Sequence, residues 1–147
     1  MVDSLSSAVR HYQREIDQFD QALAGWLGVN RTDLRCLDLV VEQPRSARGL
    51  AHAAGLTPSA ITTAIDRLEL LGFVQRTRSA SDRRQVLVAP TAELLARLHV
   101  AMADYAAEAA AEAAAYSPAE VALLMAFFER GSARRARHAA RLRELPS

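Results

Sequence analysis

The stretch "TPSAITTAIDRLELLGFVQRTRSASDRRQVLVAP", Thr57 to Pro90, changes its apolar repeat half-way. Up to Gly72, Ile61, Ala64, Ile65 and Leu68 recur at spacings of three and four, the repeat of a helix with one buried face. Thr57 can cap that helix and Pro58 suits its first position, which predicts a helix over about 58–71 ended by Gly72. Beyond Gly72 the repeat is two. "FVQRTRS" and "QVLVA" are short β-prone runs around the polar "ASDR", and they predict a two-stranded hairpin. Pro90 has no N–H for the ladder and ends the second strand.

Just upstream, "SARGLAHAAG" predicts a short helix that stops at Gly55. The two helices fit the helix-turn-helix template over twenty positions. Ala51 is the small residue, Gly55 is the turn glycine, and Leu50, Ala54, Leu56, Ile61 and Ala64 fill the apolar offsets where the helices cross. Helical periodicity then turns Ser59, Thr62, Thr63, Asp66 and Arg67 outward. Hydroxyls at the start of such a helix can reach base edges or phosphates in a major groove. An ordinary capped amphipathic helix would show the same wet side, so the helix alone does not decide.

The hairpin does. A strand pair with a basic tip directly after a helix-turn-helix is a wing, and an arginine at its tip can enter the narrow, electronegative minor groove. Arg76 and Arg78 alternate with Val74 along the first strand, within reach of phosphates. Asp82 is an acid where phosphate would repel it, and it makes sense as the holder of a neighbouring arginine or of the tip backbone.

Both flanks read as helix. Leu5, Val9, Tyr12, Ile16, Phe19, Leu23 and Leu27 form one stripe of a long first helix ending near Gly28. Asn30 or Thr32 can cap a second, whose buried face is Leu34, Leu37, Val40 and Val41, and Pro44 breaks it. From Thr91, Leu94, Leu98, Ala101, Met102 and Tyr105 share a face, and "YAAEAAAEAAAY" continues in strong helix formers. "SPAE" is a capping box, Ser117 with Glu120, that opens a last helix running to about Arg143 with Val121, Leu124 and Phe128 on its apolar face. The expected fold is mainly α with a small β-hairpin wing, in the order α-α-α-α-β-β-α-α. A winged helix-turn-helix at 30–90 is flanked by long dimerisation helices at 1–28 and 91–147, all within a single domain of 147 residues.

The formal net charge of +1 hides a local imbalance. Residues 1–44 carry four arginines against seven acids, residues 45–84 seven against three, and residues 85–147 seven of each. A basic centre between neutral or acidic flanks is the footprint of a polyanion-binding module. The one cysteine, Cys36, has no partner for a disulfide, and His11, His52, His99 and His138 have no metal-ligand spacing. Neither a metal nor another cofactor is expected. No apolar run is long enough to span a bilayer and the polar start lacks a signal-peptide core, so the expected location is the cytoplasm, with no membrane contact. Ser, His and Asp occur without a recognisable catalytic arrangement, which argues against an enzyme.

The order of elements, the helix-turn-helix and "AIDRLELLGFVQRTRSASDRRQVLVAPT" resemble the MarR family of winged-helix transcriptional regulators over nearly the whole chain, and the wing triplet Asp82-Arg83-Arg84 is the most specific mark. The resemblance implies double-stranded DNA as partner, Ser59, Thr62 and Thr63 in the major groove, Arg84 in the minor groove with Asp82 as its organiser, and Arg83 at phosphate. It implies that Arg67, the arginine of "DRLE", bonds to phosphate or braces the wing. It also implies a homodimer built from the first and last two helices, acting on a pseudo-palindromic site, more often as a repressor. Gly49, where the family usually has glutamate, and "APTAELL" after the wing depart from the pattern and bear on packing.

Family members commonly release DNA when a small aromatic or phenolic effector binds, and His11, Tyr12 and Trp26 on the first helix are the residues here that could wall such a pocket. Oxidant sensing through Cys36 is an alternative, weakened by its place in mid-helix. A winged helix used only for protein contacts is the other alternative, and it predicts no salt-dependent DNA binding.

Overall fold

The computed structural model describes residues 2–80, 82 and 84–145. The elements are α1 (Val2–Leu27), α2 (Arg31–Glu42), α3 (Ala47–Ala54), α4 (Pro58–Leu70), β1 (Val74–Arg78), β2 (Val86–Pro90), α5 (Ala92–Ala114) and α6 (Pro118–Glu144). The chain is therefore mainly helical with one antiparallel hairpin, in the expected order. It forms two compact units, residues 1–101 and residues 102–147.

Local chemistry sets the boundaries. Asn30, Ser46, Thr57 and Ser117 each cap a helix by accepting a backbone N–H three residues on, which satisfies a donor the helix itself leaves open. Of the two caps possible for α2, the chain uses Asn30. At the turn of the helix-turn-helix, Gly55 sits at φ 68°. There Leu56 N–H bonds to Ala51 O at 2.9 Å and Gly55 N–H to His52 O at 3.2 Å, a left-handed helix ending that favours glycine.

The core of the first unit gathers Leu34, Leu37 and Val40 of α2, Leu50 of α3, Ile61, Ile65 and Leu68 of α4, Val88 of β2 and Leu94 of α5. The template residues Leu50, Ala51, Ala54, Ile61 and Ala64 are all buried and Leu56 is partly so, so the offsets that predicted the helix crossing are the ones that fill it. In the hairpin Val74 pairs with Pro90, Arg76 with Val88 and Arg78 with Val86. Pro90 thus closes the ladder as its last residue. A feature the sequence did not announce is a third short edge, where Arg45 and Val88 exchange backbone hydrogen bonds at 3.1 and 2.7 Å and tie the α2–α3 connection to the wing.

In the second unit Ser117 and Glu120 form the capping box reciprocally, with Ser117 N–H donating to Glu120 Oε2 at 2.8 Å. These hydrogen bonds hold the Glu120 carboxyl below its usual range. None of the described residues 102–145 is buried, and Leu123, Met125, Phe128 and Leu142 are each more than half exposed.

Candidate nucleic-acid interface

The outward face of α4 carries Ser59, Thr62 and Thr63, all exposed. Thr62 Oγ1 donates to Pro58 O at 2.9 Å and Thr63 Oγ1 to Ser59 O at 3.1 Å. With the hydroxyl protons directed to helix carbonyls, both threonines can offer lone pairs outward as acceptors. Such a face suits the amino groups that cytosine and adenine display in a major groove, with the threonine methyls available to a thymine methyl.

At the wing tip, Asp82 Oδ1 accepts the Arg84 N–H at 2.9 Å, and Gln85 N–H closes on Asp82 O at 2.9 Å. Of the two roles open to Asp82, the structure shows the hold on tip backbone, an Asx-turn. Arg84 is exposed at this turn and forms no ion pair with any described residue. Arg83 lies outside the described residues. Arg78 is exposed at the end of β1, opposite Val86.

Arg67 and Arg76, two of the expected DNA-contacting residues, are engaged within the protein. Arg67 sends Nε to Asp33 Oδ2 at 3.0 Å and Nη2 to Asp33 Oδ1 at 2.7 Å, a bidentate pair with an acid on α2 whose side chain is 3% exposed. Arg76 of β1 bonds to Asp66 at 3.0 Å and to Glu69, both on α4. The hydrogen bonds to Asp33 and to Asp66, with the neighbouring negative charge, push both guanidinium pKa values further up. The brace expected of Arg67 therefore runs to α2, while Arg76 braces the wing. Arg45 is also committed, to Glu42 at 2.9 Å and to Leu39 O at 3.1 Å, so part of the central basic block is neutralised in place.

Asp33 escaped the sequence reading although a signal existed. It shares a helical face with Cys36, Leu37 and Val40, all buried, and an acid on an apolar stripe requires a cation partner.

The residues expected to wall an effector pocket are not brought together. His11 pairs with Glu15 at 3.6 Å, while Tyr12 and Trp26 are about half exposed. Trp26 lies about 21 Å along the helix axis from Tyr12, at about 1.5 Å per residue. A groove of about 520 Å³ between α1, α2 and the helix-helix turn is lined instead by polar groups, among them Asp20, Arg31, Thr32, Arg35 and Asp38. Burial, and next the Asp20 charge, raise the Asp38 pKa. Among the described residues no group of three or more His, Cys, Asp or Glu could hold a metal ion, and no helix is long and apolar enough to cross a membrane.

Cys36 is fully buried, and burial, followed by the Asp33 charge, pushes its thiol up to about 11 from 9.0. A protonated, inaccessible thiol is a poor oxidant sensor. The unfolded chain ionises this thiol near pH 9 while the folded chain retains the proton, so stability should fall between about pH 9 and 11. Cys36→Ala should flatten that alkaline loss in denaturant titrations at stepped pH, with the three tyrosines common to both proteins. An identical pH slope in the two proteins would contradict the assignment.

Residues 27–85 match the MarR family. That match runs from the end of α1 through the helix-turn-helix to the wing tip. A 73-residue stretch is 40% identical to the uncharacterized HTH-type transcriptional regulator YcgE of Bacillus subtilis (strain 168), covering 49% of this chain and 47% of that protein. The chain thus matches about half the length of that curated relative. Among solved structures, the transcriptional regulator BldR from Sulfolobus solfataricus is 27% identical with a TM-score of 0.56, over 90% of this chain and 94% of that one. RV1404 from Mycobacterium tuberculosis superposes with a TM-score of 0.63 at 24% identity, over 90% and 95% of the two chains. A MarR family protein from Bacillus stearothermophilus gives 0.61 at 17% identity, over 95% of each chain. At those last two identities the likeness is one of fold.

Proposed function

We propose that this MarR-like chain is a sequence-specific transcriptional regulator that binds double-stranded DNA as a homodimer. The observation that carries this reading is the joint presentation of an exposed hydroxyl face on α4 and an exposed Arg84 on an Asx-locked wing tip. Ser59, Thr62 and Thr63 read the major groove, Arg84 enters the minor groove, and Arg78 and Arg83 meet phosphate. Each unit carries exposed apolar residues for a second copy to cover, Leu5 and Phe19 on α1 in the first and Leu124 and Phe128 on α6 in the second. Two copies place their recognition helices about 34 Å apart on one face of the duplex, which calls for a pseudo-palindromic site.

Repression, with release by a small aromatic or phenolic effector, is the mode the family resemblance favours. With His11 and Tyr12 far along α1 from Trp26, one small molecule would meet only one end of that set. Selection from a random duplex library, followed by band shift, tests the reading. Recovery of a site with two half-sites about one helical turn apart is expected, and failure to enrich any duplex would contradict it.

A further inference from the structure

We propose that Asp33 is a positioning residue for DNA recognition: by fixing Arg67 from α2, it sets the orientation of α4, and with it the specificity of the site. The inference rests on the DNA-binding reading above and extends it to a residue that touches no base.

Asp33 stands at the third position of α2 and its side chain is almost fully buried. Both of its carboxylate oxygens accept hydrogen bonds. Oδ1 accepts Arg67 Nη2 at 2.7 Å, and Oδ2 accepts Arg67 Nε at 3.0 Å and Asn30 Nδ2 at 3.0 Å. Asn30 in turn accepts the Asp33 N–H at 2.8 Å. Cap, acid and arginine form one closed unit joining the first turn of α2 to the last turns of α4.

A bidentate arginine-carboxylate pair fixes two directions at once, which a single lysine contact cannot do. The far side of α4 is held by the exposed pairs of Arg76 with Asp66 and Glu69. What sets the clamp apart is its acid: the Asp33 side chain is 3% exposed, against 57% for Asp66 and 30% for Glu69, and a better-shielded carboxylate holds its arginine more firmly. Arg67 also lines an open groove with Thr63, Ala60, Asn30, Arg31 and Thr32, which places the clamp beside the hydroxyl face. A tilt of α4 would displace Ser59, Thr62 and Thr63 together from the base edges, whereas attraction to phosphate tolerates such a displacement.

The test compares Asp33→Asn, Arg67→Gln, the double variant and Arg67→Lys with the parent protein on two duplexes, the selected site and an arbitrary sequence, at one salt concentration. Thermal melts check that each variant is folded. Asp33→Asn and Arg67→Gln should each lose at least about tenfold on the selected site and less than about threefold on the arbitrary duplex. The double variant should lose no more than the worse single, because the two act as one unit. Arg67→Lys keeps the charge but not the fork, and should lose specificity in the same way.

Equal losses on both duplexes, additive effects in the double variant, or full specificity in Arg67→Lys would each overturn the proposal. Should Asp33→Asn fail to fold, the Arg67→Lys ratio decides alone. A parent protein that selects no duplex overturns the DNA-binding reading, and this inference with it; a parent that selects one while the variants keep its specificity overturns this inference only.

Discussion

Leu50→Ala should lower the stability of the first unit by about 2–5 kcal/mol, the range for emptying a fully enclosed leucine site. Leu50 is 0% exposed, packed where α3 crosses α4 in a core shared with α2 and β2. The lost methyl groups cannot be replaced by collapse without moving the helix that carries the hydroxyl face. Domains of this size are stable by only about 5–15 kcal/mol, and each kcal/mol shifts the melting temperature by roughly 4–8 °C in a domain of about 100 residues. A fall of at least about 10 °C by circular dichroism is therefore expected. Leu70→Ala is the internal control: Leu70 is 88% exposed, and substitutions at such positions usually stay within about 0.5 kcal/mol. Equal melting of the two variants would mean that the helix crossing is not the centre of the core.

Arg84→Ala should weaken binding to the selected duplex by about 1–3 kcal/mol, a loss of roughly 5- to 150-fold. The side chain is exposed at the wing tip and its backbone N–H is held by Asp82, so the substitution leaves fold and turn intact. The melting temperature should not move. Asp82→Ala removes the acceptor of that N–H and should cost less, because the turn also keeps the Gln85 N–H to Asp82 O bond and the Ser79 N–H to Gln85 O bond, each 2.9 Å. Unchanged affinity in Arg84→Ala would move the groove contact elsewhere on the wing.

Periodicity and caps made the fold legible, because these are local properties that tertiary packing here confirms. The switch from a repeat of three and four to a repeat of two at Gly72 marks the end of α4 and the start of the wing, and Thr57 and Ser117, with Asn30 as one of two candidates for α2, mark helix starts. Long-range polar pairing was not legible in the same way. Asp33 and Arg67 are 34 residues apart, and nothing local couples them. The charge count of residues 45–84 overstated the surface available to a polyanion for the same reason: Arg45, Arg67 and Arg76 are tied to acids, two of which, Glu42 and Asp33, lie outside the block. Asp82 was readable because an Asx-turn is local. The edge formed by Arg45 with Val88 was not, since a lone backbone bridge leaves no repeat in sequence.

The central claim, that α4 and the wing together form a DNA-reading surface, is tested most directly by the affinity of the parent protein for its selected duplex across a salt series. A regulator making several phosphate contacts should show log K falling linearly with log salt, losing about a thousandfold or more between roughly 50 and 200 mM for six or more contacts. The selected duplex should stay well ahead of an arbitrary one throughout. Binding that ignores salt, or that fails to distinguish the two duplexes, would contradict the account.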